Sequence, residues 1–208
     1  MAIGRFASWI GRRNRITKSR GDVQVIIDPP NELSPQEVVN WANGNGELNL
    51  RLDNGWFTVY YPWLKVNVGG KLETVPPSVL VASQWAYNDS VANCWFAPAG
   101  YGNDGSGRGR GYLAQATDVV VELSKEDRDT LYGAGNVVNP IAKFIGKGII
   151  LFGNKTTKRT KFGEAESMMS SLNVRRLCNY IRKMVISKSF NELFNPNDRF
   201  TWNNKSDN

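Results

Sequence analysis

The chain has 208 residues, 41% of them hydrophobic and 11% aromatic, so it is long enough for one sizeable core and too apolar for wholesale disorder. It contains no histidine, which excludes Ser-His-Asp and Cys-His nucleophile systems and histidine-containing zinc sites. No run of eighteen apolar residues occurs, so we expect no membrane span. Without a paired-acid or phosphate-loop signal, we predict no enzymatic activity, cofactor or metal.

The net charge of +7 is unevenly distributed along the chain. Residues 1–20 carry six basic and no acidic side chains, residues 21–142 carry seven basic against fourteen acidic, and residues 143–188 carry eleven basic against two acidic. An acidic body with two basic segments indicates an anionic partner. Charge alone leaves nucleic acid, a membrane surface and another protein open.

The basic start of the chain, residues 1–21, is predicted to be an arm or a packing helix ahead of a main domain over residues 22–208. Apolar side chains recur in it at helical spacing, at Ile3, Phe6, Ala7 and Ile10. The same pattern is typical of an organellar presequence, which is the alternative interpretation. Gly4 and Gly11 weaken the helix in either case.

The first predicted elements form a strand, a helix and a second strand. Residues 22–28 are a β-branched run ended by two prolines, which predicts a buried strand. Ser34 as N-cap with Glu37 three residues later predicts a helix that ends at Gly44. The aromatic run over residues 56–66 predicts another strand, which Pro62 breaks or bulges.

Three more elements follow before the last helix. Pro77 and Ser78 open a mainly apolar helix, and a capping box of Ser124 with Asp127 opens a short one. The run GIILFG over residues 148–153 is the best candidate for a buried strand. Strands that alternate with helices predict an α/β fold, a layered mixed or mainly parallel sheet flanked by helices.

A glycine-rich stretch lies between these elements and is predicted to be a flexible surface loop. The loop residues are Gly105, Gly107, Arg108, Gly109 and Arg110. A phosphate-binding loop is the alternative, but the Walker spacing is absent and no helix obviously opens from the stretch. Its arginines either touch a phosphate or are simply solvated.

Residues 171–187 are predicted to form a helix with two different faces. One apolar stripe is made of Val174, Leu177, Cys178, Ile181, Met184 and Val185. The basic side chains fall on the other side and are predicted to be exposed, at Arg175, Arg176, Arg182 and Lys183. This basic face is either an ordinary solvated surface or an electrostatic docking surface for an acidic partner.

Several segments in one order resemble contractile phage tail sheath proteins, which are related to the sheaths of R-type pyocins and type VI secretion systems. They are VIIDPP, YYPWLKV, VPPSVLVASQWAYND, WFAPAGY, LSKEDRDTLYGAGNVVNPI, GIILFGNKT, LNVRRLCNYIRKMV and FNPNDRFTW. Together they cover most of residues 22–202. The resemblance implies the sheath core domain, in its carboxyl-terminal part.

The resemblance also implies a structural, non-enzymatic protein. Such subunits polymerise helically around an inner tube and contract to drive the tube through a target envelope. The implied partners are further copies of the chain, the inner tail tube protein, and the baseplate and tail terminator proteins. The implied location is the virion tail, after assembly in the host cytoplasm. Carried over to this sequence, Arg175, Arg176, Arg182 and Lys183 would contact the tube.

The chain departs from the family pattern in its length. Family chains generally continue past the FNPNDRFTW segment with strands that complete the domain, so we expect a truncated or split form that is incomplete without those strands. A second chain that supplies the missing segments is then a further expected partner. An isolated chain of this kind is expected to be poorly stable or to aggregate.

A basic nucleic-acid-binding module is the alternative function. It rests on the positive net charge, the RGRG element and the basic start of the chain. Against it, the arginines concentrate on one helix and do not alternate with surface aromatics. Nucleic acid is therefore the less favoured partner.

Overall fold

The computed structural model of the protein describes residues 2–44, 53–101, 109–160 and 164–190. In these ranges five α-helices and seven β-strands are present. The helices are α1 (Ala2–Arg20), α2 (Pro35–Asn43), α3 (Pro77–Val91), α4 (Lys125–Tyr132) and α5 (Leu172–Ser189). The strands are β1 (Val25–Ile27), β2 (Phe57–Tyr61), β3 (Leu64–Val68), β4 (Lys71–Val75), β5 (Asp118–Val119), β6 (Val138–Phe144) and β7 (Gly148–Leu151). The predicted mixed α/β class is confirmed.

The strands form two sheets. The central sheet has the order β1-β2-β6-β7, in which β1, β2 and β6 are parallel and β7 is antiparallel to β6. The hairpin sheet has the order β4-β3-β5 and is antiparallel throughout. The chain passes from the central sheet to the hairpin sheet at Pro62, which confirms the predicted break, because proline has no N–H for a strand ladder.

Both faces of the central sheet are covered, which makes the layered arrangement that the sequence predicts. All five residues of β2 are buried, and alternate ones point to opposite faces. Phe57, Val59 and Tyr61 join the core with α1, α2 and α4, whereas Tyr60 joins the core with α3 and the first residue of α5.

A buried amide ties the central sheet to the chain that follows it. Asn139 Nδ2 on β6 donates to Thr58 Oγ1 (3.0 Å) and to the Lys155 carbonyl (2.8 Å), and its Oδ1 accepts from the Lys155 backbone N–H (2.7 Å). Gly153 packs against it so closely that a Cβ there would lie 2.7 Å from the Asn139 Cβ. This contact fixes the direction in which the chain leaves β7.

The outer edge of β7 is paired with the end of the glycine-rich stretch. The Leu113 N–H donates to the Ile149 carbonyl (2.9 Å), and the Leu151 N–H donates to the Gly111 carbonyl (2.8 Å). A Cβ at Gly111 would lie 2.7 Å from the Leu151 carbonyl oxygen, so this close approach requires glycine. The edge of the central sheet is thereby covered along β7.

Two predicted capping boxes are present. The Ser34 N–H and hydroxyl both donate to the Glu37 carboxylate (2.7 and 2.6 Å), and α2 ends at Gly44, whose φ of +80° is left-handed. At α4, the Asp127 N–H donates to Ser124 Oγ (3.1 Å) while the Ser124 N–H donates to the Asp127 carboxylate (3.0 Å). The predicted starts of both helices are confirmed.

The hairpin of β3 and β4 is exposed at its far end. Residues 67–74 are all exposed, and the turn consists of Gly69 and Gly70, with φ of +58° and +87°. This hairpin was not among the elements predicted from the sequence. A two-glycine turn between strands of alternating polarity is the signal that identifies it.

Candidate protein-contact surface

Helix α5 packs on the body through its first half alone. Leu172 and Asn179 are buried, the residues between them are partly buried, and every residue from Tyr180 to Phe190 is exposed. The inward stripe is Leu172, Arg175, Arg176 and Asn179, which has the helical spacing i, i+3, i+4, i+7. The predicted apolar stripe is therefore not the stripe that faces the core.

Arg175 points into the body. Its guanidinium Cζ lies 3.4 Å from the centroid of the Trp56 ring, and its Nε donates to the Gly55 carbonyl at 3.0 Å. Burial lowers the pKa of this guanidinium from its ordinary value. The contact is a cation–π pair with a charge-assisted hydrogen bond, and both fix the rotation of α5.

Arg176 joins α5 to α3. Its Nη2 contacts both carboxylate oxygens of Asp89 (2.5 and 2.7 Å), and its Cζ lies 5.0 Å from the Trp85 ring centroid. The Arg176 side chain is 10% exposed. The prediction that all four basic side chains lie on an exposed face is thus wrong for Arg175 and Arg176, because their planar guanidinium groups pack on tryptophan rings.

Arg182 and Lys183 lie on the exposed half of α5, as predicted. The Arg182 guanidinium packs on Gly21, the residue after α1, so closely that a Cβ at Gly21 would lie 2.6 Å from Arg182 Cζ. The hydrogen bond from Arg20 lowers the pKa of the neighbouring Asp22, and the charge of Lys183 contributes to this shift. The end of α1 and the exposed half of α5 are therefore neighbours.

Helix α1 turns its basic side chains to solvent. Ile10 and Thr17 are buried against the body, while five basic residues are exposed, namely Arg12, Arg13, Arg15, Lys18 and Arg20. Arg20 pairs with Asp22 at 2.9 Å. The fold thus brings the two basic segments of the sequence together, which charge counting alone did not reveal.

The same region exposes apolar side chains, and those on α5 were predicted to face a core. On α5, Ile181, Met184 and Val185 are 50%, 39% and 60% exposed. On α1, Ile16 is 46% exposed. Exposed apolar side chains on helices that also carry exposed cations are characteristic of a protein contact.

The glycine-rich loop is described only at its end. Gly105, Gly107 and Arg108 lie outside the described residues, so the flexible-loop prediction remains a prediction. Arg110 Cζ lies 4.4 Å from the Phe96 ring centroid, and the Arg110 carbonyl accepts from Gln84 Nε2 at 2.7 Å. The Gly109 carbonyl accepts a hydrogen bond from the Tyr112 N–H.

The described ranges contain no group of three or more His, Cys, Asp or Glu side chains placed to hold a metal ion. Within the same ranges, no helix has both the length and the apolar character needed to cross a membrane. The arrangement found around α1 and α5 is suited to binding through charge and apolar contact.

Comparison with known proteins defines the class of this fold. Residues 6–157 match the family described as the phage tail sheath protein central domain. Because the match spans well over half of the chain, the chain belongs to this family. Helix α5 follows the matched range.

Individual relatives agree with the family match. The tail sheath protein of Vibrio phage KVP40 is 28% identical over 199 residues, which are 88% of this chain, and that of Enterobacteria phage T4 is 27% identical over 201 residues, or 89%. The chain spans 28% of the length of each of these relatives.

Solved structures share the fold. A chain of the PVC sheath complex of an extracellular contractile injection system, in the contracted state, superposes with a TM-score of 0.65 at 22% identity, covering 86% of this chain and 44% of that one. A chain of the contracted anti-feeding prophage baseplate gives 0.67 at 19% identity, with 92% and 48% covered. At this identity the likeness concerns the fold.

Proposed function

We propose that the chain is part of a structural sheath subunit that polymerises helically around an inner tube and contracts to drive that tube through a target envelope. The family match over residues 6–157 carries the proposal. The fold shared with a contracted sheath complex supports it. Because the chain spans 28% of the curated relatives, the proposal concerns the role of the whole subunit.

The proposed subunit is not an enzyme and uses no cofactor, since contraction releases energy that is stored during assembly. Its proposed partners are copies of itself, the inner tail tube protein, and the baseplate and tail terminator proteins. A second chain that supplies further sheath segments is an alternative partner. The proposed location is the virion tail, after assembly in the host cytoplasm.

Within this role, Arg182 and Lys183 are the proposed contacts of α5 with the inner tube. Both are exposed, and both lie on the half of α5 that extends beyond the packed body. In the same proposal, Arg175 and Arg176 have a structural role in place of a contact with the tube. Their contacts with Trp56 and Asp89 orient α5, so that the exposed half is presented at a fixed angle.

The test is assembly of the full sheath subunit with the tube protein of the same particle, viewed by negative-stain electron microscopy. We expect striated sleeves around tubes for the wild type. We expect Arg182→Glu with Lys183→Glu to lose at least about 90% of the sleeves, because like charge at such an interface costs several kcal/mol. The matched control is Lys71→Glu with Lys125→Glu, which changes the net charge equally at exposed sites elsewhere.

A wild-type subunit that never forms sleeves overturns the proposed function. Normal sleeves from the α5 variant overturn the tube contact alone. The nucleic-acid-binding alternative gains no support from the family match or from the relatives, and we do not propose it.

A further inference from the structure

The outward side of α5 carries an apolar stripe along most of the helix. Its members follow one another at steps of 3, 4 and 3 residues and are Val174, Leu177, Ile181 and Met184. At about 100° per residue, this stripe lies opposite the inward stripe, which begins at Leu172 and ends at Asn179. Val174 and Leu177 are partly buried, whereas Ile181 and Met184 are 50% and 39% exposed. The body therefore covers the stripe incompletely, and least in the second half of α5.

The spacing of the stripe is that of the seam between two packed helices. Alternating steps of three and four residues keep side chains on the line along which one helix meets another. Each side chain on that line inserts between side chains of the facing helix. The shape that fits the outward stripe of α5 is therefore another helix with the same spacing.

The charged side chains of α5 lie away from this seam. The inward side of the helix holds four of them, namely Arg175, Arg176, Arg182 and Lys183. The residues that flank the stripe are uncharged, and they are Asn173, Tyr180 and Ser187 on one side and Cys178 and Val185 on the other. Two copies of this strongly basic helix can therefore meet along the stripe without bringing their arginines face to face.

A second copy of the chain is the partner that this seam fits. Every copy presents the same stripe, and the body of each copy lies on the far side of its own α5. Lys188, one turn beyond Met184, continues the line of the stripe. In a parallel pair, the two Lys188 side chains would face each other and repel, whereas an antiparallel pair centred on Ile181 places Lys188 opposite Val174 of the second copy.

We propose that two copies of the chain associate through an antiparallel pair of α5 helices centred on Ile181. This two-fold arrangement is closed, because the stripe of each copy is used by the other, so it cannot propagate into a helical sleeve. The pair is therefore a form of the free subunit, and the inference does not rest on the proposed function. Because a seam of about two heptads is short, we expect a dissociation constant on the order of 10 µM.

The first test is sedimentation equilibrium of the whole 208-residue chain from about 1 to about 100 µM, a range in which the wild type should pass from monomer to dimer. Ile181→Lys should raise the dissociation constant by at least about tenfold, because it brings like charges together at the centre of the pair. The matched control is Ile186→Lys, since Ile186 is also 50% exposed but lies about 140° around the helix from Ile181. This control should associate like the wild type. Circular dichroism verifies that both variants fold.

The second test is oxidative cross-linking of single-cysteine variants in a background of Cys94→Ser with Cys178→Ser. A disulfide forms only when the two Cα atoms lie within about 7 Å. Ile181→Cys, at the centre of the pair, should give at least about tenfold more covalent dimer than Ile186→Cys. Lys188→Cys should give as little as Ile186→Cys, because antiparallel packing places position 188 of the two copies roughly 20 Å apart.

Each outcome decides the inference separately from the proposed function. A wild-type chain that stays monomeric up to about 100 µM overturns the inference and leaves sleeve assembly unaffected. Equal weakening by Ile181→Lys and Ile186→Lys also overturns it, because association then follows net charge. If Ile181→Cys cross-links no better than Ile186→Cys, the dimer forms through another surface and the inference is wrong. Efficient cross-linking of Lys188→Cys overturns the antiparallel arrangement.

Discussion

Arg175 illustrates how a charged residue contributes to the packed body of this protein. Its guanidinium contacts the Trp56 ring at 3.4 Å and donates to the Gly55 carbonyl at 3.0 Å. The residue is partly buried, so its side chain contributes to packing as well as carrying charge. Lysine has the same charge but lacks the planar fork that makes both contacts.

We expect Arg175→Ala to lower the free energy of unfolding by about 1–3 kcal/mol, since it removes a partly buried cation–π contact and a charge-assisted hydrogen bond. Lys188→Ala is the matched control, because Lys188 lies on the same helix and is exposed. It should change the free energy by less than about 0.5 kcal/mol. Urea unfolding followed by tryptophan fluorescence measures both, and equal effects would contradict the structural role of Arg175.

The sequence could not identify this role in advance. Arg175 and Trp56 are 119 positions apart, and a basic residue at helical spacing is compatible with either an exposed or a packed position. The polar residues Arg175, Arg176 and Asn179 themselves have the spacing of a buried stripe. Periodicity therefore predicted the helix correctly and its orientation incorrectly.

At the scale of elements, α3 is held at its start by a partly buried carboxylate. Asp28, just after β1, accepts hydrogen bonds from the Ser78 N–H (2.8 Å) and hydroxyl (2.6 Å). Burial raises the pKa of this carboxyl above its ordinary value of 3.8. A carboxyl with a raised pKa binds its proton more tightly in the folded chain, so stability decreases as the pH rises from about 3.8 through the folded-state pKa.

We expect Asp28→Asn to remove this decrease. The free energy of unfolding of the variant, relative to wild type, should rise with pH across that window and become constant above it. Glu37→Gln is the control and should change the pH dependence of stability in the opposite direction, because the hydrogen bonds from Ser34 lower the pKa of Glu37. Urea titrations from about pH 3.5 to about pH 7 measure the difference, and a difference for Asp28→Asn that does not vary with pH would contradict the explanation.

The exposed half of α5 has a second consequence, for self-association. Ile181 and Val185 lie one turn apart and are at least half exposed. Apolar patches of this kind promote association between copies of a chain. We expect Ile181→Lys with Val185→Lys to reduce concentration-dependent light scattering and to change the free energy of unfolding by less than about 0.5 kcal/mol.

The matched control for this pair is Ser187→Lys with Ser189→Lys, which adds the same charge to the same helix and leaves the apolar side chains in place. If the serine variant suppresses scattering equally, charge and not apolar contact governs the association. Dynamic light scattering across a concentration series distinguishes the two cases.

For most elements, local signals were sufficient. Capping residues placed the starts of α2 and α4, and glycine-flanked or proline-broken runs placed β2 and β7, because these signals depend on neighbouring residues. The order of the central sheet, β1-β2-β6-β7, could not be predicted in this way. It depends on pairings between distant residues, such as Tyr60 on β2 with Asn139 on β6, which no local pattern encodes.

At the scale of the whole molecule, charge segregation and charge location are different properties. Counting along the sequence found two basic segments, and the fold joins them at Gly21 and Arg182. The candidate site was therefore predictable in its chemistry and in two of its residues, Arg182 and Lys183. The contribution of α1 to the candidate site could be recognised only from the three-dimensional structure.

The hairpin of β3 and β4 gives a prediction for the whole molecule. A Cβ at Gly69 or Gly70 would have no neighbour within 4 Å. We expect a flexible insertion of about twelve residues between these glycines to lower the free energy of unfolding by about 1 kcal/mol or less, because a longer exposed loop costs little closure entropy. The same insertion between Gly153 and Asn154 should prevent folding, because Gly153 packs on Asn139. Circular dichroism on thermal unfolding compares the two.

An exposed turn of this kind also offers a place for a label. A small peptide tag at Gly69 and Gly70 would sit at the exposed end of the β3–β4 hairpin, whose residues 67–74 belong to neither core. In the proposed sheath, the radius at which that tag is seen by electron microscopy would report the orientation of the subunits. Comparing that radius before and after the proposed contraction would measure how far the hairpin moves.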